Sequence, residues 1–183
     1  MRSLLRPTLL ADAVWSIDLD ALVRRGIQGL ILDLDNTLVD WNQSWVRPQV
    51  RAWIEAAQER GLRVCLLSNA LRGARVARVA RELGVAAVVR AGKPLARAFR
   101  RGLAVLGTEP ASTCAVGDQV FTDMVGANRL GLTTVLVRPF TPREPFHTRL
   151  VRLIEGPLRR RWAEEAASGR GAPRGGSGKG GKR

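Results

Sequence analysis

The chain reads as an α/β protein, a three-layer, doubly wound, mostly parallel sheet of five strands. Three observations predict this. Short β-rich apolar runs alternate with helical stretches along most of the chain. The runs are near-continuously apolar, as strands covered on both faces are. Polar residues capable of chemistry recur just past the ends of those runs.

The expected strands are IQGLILDL at 27–34, LRVCLLS at 62–68, AAVVR at 86–90, TCAVG at 113–117 and TTVLVR at 133–138. After the first comes RPQVRAWIEAAQERG, where Val50, Trp53, Ile54 and Ala57 share one helical face and Gly61 closes the helix. ARVARVARELG repeats the device with Val76, Val79, Ala80 and Leu83, ending at Gly84. PLARAFRRGLAVLG opens with Pro94 at a first helical position. The expected organisation is an N-terminal segment, 1–26, packing on a domain of residues 27–165 that includes a C-terminal helix. Residues 166–183 form a basic, Gly-rich tail, too poor in large apolar side chains to offset the entropy of ordering, and are expected to be disordered.

At 183 residues and 45% apolar, the chain suits one domain with a real core. No uncharged apolar run approaches the ~18 residues of a transmembrane helix. The opening MRSLLRPTLLADAVW is interrupted by Arg6, Pro7 and Asp12, unlike a signal peptide, so a cytoplasmic location is expected. Cys65 and Cys114 lie in apolar runs and read as buried free thiols rather than a disulfide or metal pair. The net charge of +14 calls for an anionic partner or surface. Residues 168–183 hold five basic residues and no acidic one, so residues 1–167 keep 25 basic against 16 acidic, a net +9.

In parallel sheets ligands bind beyond the carboxyl ends of the strands. Asp33, Ser68 and Asp118 each follow an apolar run directly, and Lys93 lies a few residues beyond another. Asp33 and Asp35, two residues apart at the end of a buried strand, would face one way. Two like charges there are costly unless a cation offsets them.

The ordered set DLDNT, SN, GKP and GDQVFTD, spanning 33–123, resembles the haloacid dehalogenase-like (HAD) superfamily of phosphohydrolases. The resemblance implies a HAD-like Rossmannoid fold and hydrolysis of a phosphate monoester with Mg²⁺. By it, Asp33 is the nucleophile that becomes an aspartyl-phosphate and also ligates the metal. Asp35 offers its backbone carbonyl to the metal, while its side chain protonates the leaving oxygen and then activates water. Ser68, helped by backbone N–H groups around Asn69, binds a phosphoryl oxygen. Lys93 sets a positive charge against the nucleophile and the phosphoryl group. Asp118 is the second metal carboxylate, and Asp123 ligates through water or orients Lys93.

Each residue also has a plainer reading. Asp33 and Asp35 are compatible with a turn, Ser68 and Asn69 with capping a helix starting near Leu71, Lys93 with a solvated surface lysine, and Asp123 with a helix start. The ordered set favours the functional readings.

Spacing bears on the substrate. Between Asp35 and Ser68 there is room for one helix and one strand, and between Ser68 and Lys93 for one helix and a short strand. No cap domain fits, so the site should be open and suit a bulky or surface-presented substrate. GLILDLDNTLVDW, LLSNA, AGKP and AVGDQVFTDMVGANRLGLTTVLVRPF are similar to the capless subclass IIIA, YqeG-type group, related to mitochondrial and plastid phosphatidylglycerophosphatases. That resemblance covers roughly residues 5–160. It points to dephosphorylation of phosphatidylglycerophosphate to phosphatidylglycerol in phospholipid synthesis while leaving the substrate open, and a peripheral place at the membrane surface is the expectation that goes with such a substrate.

RLVRLIEGPLRRRW, 149–162, spaces Leu150, Ile154, Leu158 and Trp162 four apart among arginines, which suits an interfacial helix on anionic lipid. Gly156 and Pro157 interrupt it, and such a stripe is also what core packing produces. Trp41 and Trp45 likewise suit either an open mouth at headgroup level or ordinary packing. Two other readings are a soluble phosphatase acting on a small metabolite or phosphoprotein, and an RNA- or ribosome-associated factor. The basic tail would bind nucleic acid without sequence preference.

Overall fold

The computed structural model describes residues 3–141 and 146–168, with side chains of the last helix described from Glu155 to Glu165. Of the expected tail, 166–183, residues 166 and 167 instead complete the last helix and 168 turns off it, while 169–183 lie outside the described residues. Two compact units are present, Met1–Glu144 and Pro145–Arg183.

The first unit is built on six parallel strands: β1 (Leu9–Ala11), β2 (Gly29–Leu32), β3 (Arg63–Leu67), β4 (Ala86–Val88), β5 (Thr113–Gly117) and β6 (Thr133–Val137). Their order is β1-β6-β5-β2-β3-β4. All five expected strands are present. The sixth, β1, pairs with β6 from Leu9↔Val135 to Ala11↔Val137. Three residues show no usable alternation; long-range bonds hold this edge, including the Thr8 N–H donating to Thr134 Oγ1 at 3.0 Å.

The helices are α1 (Leu19–Arg24), α2 (Pro48–Glu59), α3 (Gly73–Glu82), α4 (Ala96–Leu106) and α5 (Val125–Asn128). Successive side chains of a strand point to opposite faces, and the two cores divide accordingly. Leu30 and Leu32 of β2 join Leu66 and Val116 against Val50, Trp53 and Ile54 of α2 and Val76 and Val79 of α3. Ile31, between them, joins Cys65, Leu67 and Ala115 against Phe99 and Leu103 of α4 and Ala127 of α5. A Cβ on Gly102 would lie 2.9 Å from Ile31 Cδ1, so glycine lets α4 sit close on β2. The short α1 was not foreseen; Asp18 caps it by accepting the Ala21 N–H at 2.9 Å.

β2 is central. The chain builds β3 and β4 on one side, then crosses to build β5 and β6 on the other. The strand order therefore reverses between β2 and β5, where doubly wound sheets open a crevice.

The second unit is described by α6 (Phe146–Ala167), one continuous helix that contains Pro157. The expected interruption at Gly156 and Pro157 does not occur. All side chains of 149–154, Leu150 and Ile154 of the apolar stripe among them, lie outside the described residues.

Candidate active site

Asp33 is the first residue after β2, and its N–H donates to Val116 C=O at 2.9 Å, carrying the ladder one step past the strand. Asp118 follows β5 and Ser68 follows β3, so register alone lines up three of the expected residues on one edge. Lys93 enters from the loop after β4. Asn69 sets that loop: its Oδ1 accepts the N–H groups of Gly92 and Lys93, and its Nδ2 donates to the Lys93 carbonyl at 3.0 Å. In the structure Asn69 thus holds the lysine loop.

Carboxylate oxygens of Asp33, Asp118 and Asp123 lie within 4.8 Å of one another. Lys93 Nζ bridges two of them, at 2.5 Å from Asp33 Oδ1 and 2.6 Å from Asp123 Oδ1. Its side chain is 3% exposed and that of Asp33 11%. Burial, reinforced by Asp123 and Asp118, pushes the Asp33 carboxyl well above the usual carboxylate range, with Lys93 opposing. Burial alone would lower the Lys93 ammonium, but Asp123 and Asp33 outweigh it and hold it above the usual lysine range. Three carboxyl groups are gathered here around a single ammonium, an excess of acid in a buried pocket. All the donors are hard oxygens, a set that fits a hard divalent cation.

Asp123 sits in a wide π-type turn, Val120–Met124, where its Oδ2 accepts the Gln119 N–H at 3.1 Å. Such turns recur at functional sites because they re-aim a side chain. A Cβ on Gly117 would collide with the Asp123 carboxylate, so glycine at the end of β5 makes room for it.

The Asp35 carboxylate stands outside this trio. β2 ends at Leu32, so strand alternation does not extend to Asp35. Its Oδ1 accepts the Asn42 N–H at 2.9 Å, and its Oδ2 pairs with Arg75 Nη2 at 2.6 Å. Arg75 also donates from Nη1 to the Gln43 carbonyl at 2.7 Å, tying the loop after Asp35 to α3. Ser68 is buried, and its Oγ accepts the Ala70 N–H at 3.1 Å. It does not cap α3, which starts only at Gly73 with no side-chain cap.

Sequence reading missed three contributors. Thr37, buried, donates to Asp118 Oδ1 at 3.3 Å; its place in DLDNT was the available signal. Arg75 had no local signal among the arginines of α3, and Gly117 none beyond its place before Asp118. Trp45 is 63% exposed, so the packing reading does not hold for it, whereas Trp41 is half-buried.

The "Probable phosphatase YqeG" of Bacillus subtilis is 34% identical to this chain over 78% of the chain and 82% of its own length. The chain belongs to the haloacid dehalogenase-like hydrolases. A model of that hydrolase family matches residues 42–131. "Phosphatidylglycerophosphate phosphatase 1, chloroplastic/mitochondrial" of Arabidopsis thaliana is 30% identical over 80% of the chain, which spans only 44% of that protein. Among solved structures, a cobalt-bound deoxy-D-mannose-octulosonate 8-phosphate phosphatase from Haemophilus influenzae superposes with a TM-score of 0.51 at 15% identity. The match covers 62% of this chain and 69% of that one, a likeness of fold.

Proposed function

We propose that this phosphatase is Mg²⁺-dependent and removes the terminal phosphate of phosphatidylglycerophosphate through an aspartyl-phosphate on Asp33. The observation that carries the chemistry is the buried trio Asp33, Asp118 and Asp123, bridged by Lys93 at the switch point of the sheet. Asp33, Asp118 and the Asp35 carbonyl would hold the ion, with Asp123 beside them. Bound there, Mg²⁺ would offset the charge that keeps anionic nucleophile and anionic ester apart.

The chain's own residues supply the rest. Asp33 attacks phosphorus from the end of β2. Lys93, fixed by Asp123 and by the Asn69-bound loop, faces the nucleophile and the equatorial phosphoryl oxygens. Ser68 Oγ–H donates to one of those oxygens. Asp35, held between Arg75 and the Asn42 N–H, protonates the leaving alkoxide and then takes a proton from the water that attacks the aspartyl-phosphate.

The lipid substrate is supported by the Arabidopsis relative's name and by the absence of an inserted domain between the motifs, which leaves the edge open to a substrate with a bulky anchor. The test is phosphate release from phosphatidylglycerophosphate in mixed micelles with Mg²⁺, beside glycerol 3-phosphate and an aryl phosphate, with Asp33→Asn as blank. Turnover of the lipid far above the soluble esters, abolished in the variant, is expected. Equal or faster turnover of the soluble esters would overturn the lipid assignment and leave the phosphatase.

A further inference from the structure

The positive charge of this chain is not spread evenly. Residues 60–108, which contribute β3, α3, β4 and α4, hold eleven Arg and Lys against one acidic residue, Glu82. That segment accounts for +10 of the net +14. It also carries the Ser68 and Lys93 loops, so the excess flanks one side of the active-site edge.

Three of the large apolar side chains exposed on the surface sit in the loops that form that edge. Leu71, three residues after Ser68, is 80% exposed; Trp45, in the loop after Asp35, is 63%; Leu95, two after Lys93, is 45%. Scattered singly, such residues would need no explanation. These loops, however, are joined to one another. Arg90 Nε donates to the Leu71 carbonyl at 3.3 Å, Asn69 binds the Lys93 backbone, and Arg75 binds the Gln43 carbonyl beside Trp45. Arg72, Arg90 and Arg97 are exposed in the same loops and at the start of α4. Among the described residues none of the three is paired with a carboxylate.

We infer that this rim docks on an anionic lipid surface, with Leu71, Trp45 and Leu95 entering the interface and Arg72, Arg90 and Arg97 meeting headgroup phosphates. The chemistry that selects this partner is the pairing of exposed aliphatic and indole side chains with guanidinium groups that have no carboxylate partner among the described residues, around one opening. Apolar tips have no use on a nucleic-acid backbone, and cations alone would not need them. The inference deepens the lipid reading of the same site: the open edge would face the bilayer, so a phosphate at headgroup level reaches Asp33 without the lipid leaving its leaflet.

The test is flotation of the full chain with phosphatidylcholine vesicles, with and without about a third of phosphatidylglycerol. Wild type is compared with a Trp45→Ser, Leu71→Ser, Leu95→Ser variant and with an Arg72→Gln, Arg90→Gln, Arg97→Gln variant; the basic tail is identical in all three. Binding to the anionic vesicles is expected to fall roughly tenfold or more in the apolar variant, and about a hundredfold in the arginine variant at low salt. Quenching of Trp emission by lipids brominated in their acyl chains is expected in wild type and reduced in Trp45→Phe.

Vesicle binding unchanged in both rim variants would overturn the inference, whatever the turnover of lipid in micelles. Loss of poly-uridine binding in the arginine variant, with vesicle binding intact, would overturn it in favour of RNA. Rim-dependent vesicle binding without hydrolysis of phosphatidylglycerophosphate would leave the docking surface and remove the proposed substrate. Aryl phosphate turnover, expected to be unchanged in the apolar variant, shows that the variant is folded.

Discussion

The two halves of the sheet, on either side of β2, contribute opposite charges to one edge. The β3–β4 half supplies Ser68, Asn69 and Lys93 from a segment with a single acidic residue. The β5–β6 half supplies Asp118 and Asp123. Asp33 stands between them at the end of the central strand. The two halves meet in one ion pair, Lys93 with Asp123 at 2.6 Å, which fixes the ammonium beside Asp33. The difference teaches that a doubly wound sheet can keep cationic and anionic chemistry on separate stretches of chain and still join them where its strand order reverses.

The comparison breaks most completely at Asp33. Asp33→Asn is expected to reduce phosphate release to background at any Mg²⁺ concentration, because the amide cannot form the acyl-phosphate; measurable turnover would remove Asp33 as nucleophile. Lys93→Met comes next. It leaves Asp33 and Asp123 facing each other without the buried cation, and breaking such a pair costs about 3–5 kcal/mol. Urea unfolding with and without Mg²⁺ should show that loss, and showing it partly restored by the ion would sharpen the reading of the trio as a cation site.

Asp118→Asn tests the acidic half alone. The Mg²⁺ concentration for half-maximal turnover is expected to rise roughly tenfold or more, as for loss of a ligand or its close support. Arg75→Ala tests a contact that ties α3 to the loop after β2. Asp35 keeps only the Asn42 N–H, so kcat/KM is expected to fall about tenfold to a hundredfold for an alkyl phosphate and far less for a nitrophenyl phosphate. An equal fall for both would show that Arg75 supports the fold rather than the acid. The smallest effect concerns the thiols. Burial pushes Cys65 up to about 11 and Cys114 up to about 12, so neither is a thiolate at pH 8. Both should react with an aromatic disulfide reagent only after denaturation; rapid labelling of the native chain would show that the core opens.

Much of the architecture was legible from local pattern, because a buried strand needs a continuous apolar run and an amphipathic helix a 3.6-residue period. The runs at 113–117 and 133–138 match β5 exactly and β6 to within one residue at its end. β2 proved shorter than its apolar run at both ends: it spans Gly29–Leu32, and only the Asp33 N–H carries the ladder a step further. β1 was invisible, because three residues held by an edge partner over 120 residues away carry no period of their own.

The sequence by itself determined the order of the motifs and placed Asp33, Ser68 and Asp118 at strand ends, for those follow from where apolar runs stop. It also determined the concentration of positive charge in residues 60–108. Only the tertiary structure decided which arginine holds Asp35, that Gly117 must lack a Cβ beside Asp123, and that Leu71, Trp45 and Leu95 stay exposed in linked loops. The reason is physical. Local pattern reports the face a residue must bury, whereas a side-chain pair such as Arg75 and Asp35, forty residues apart, depends on how whole elements pack.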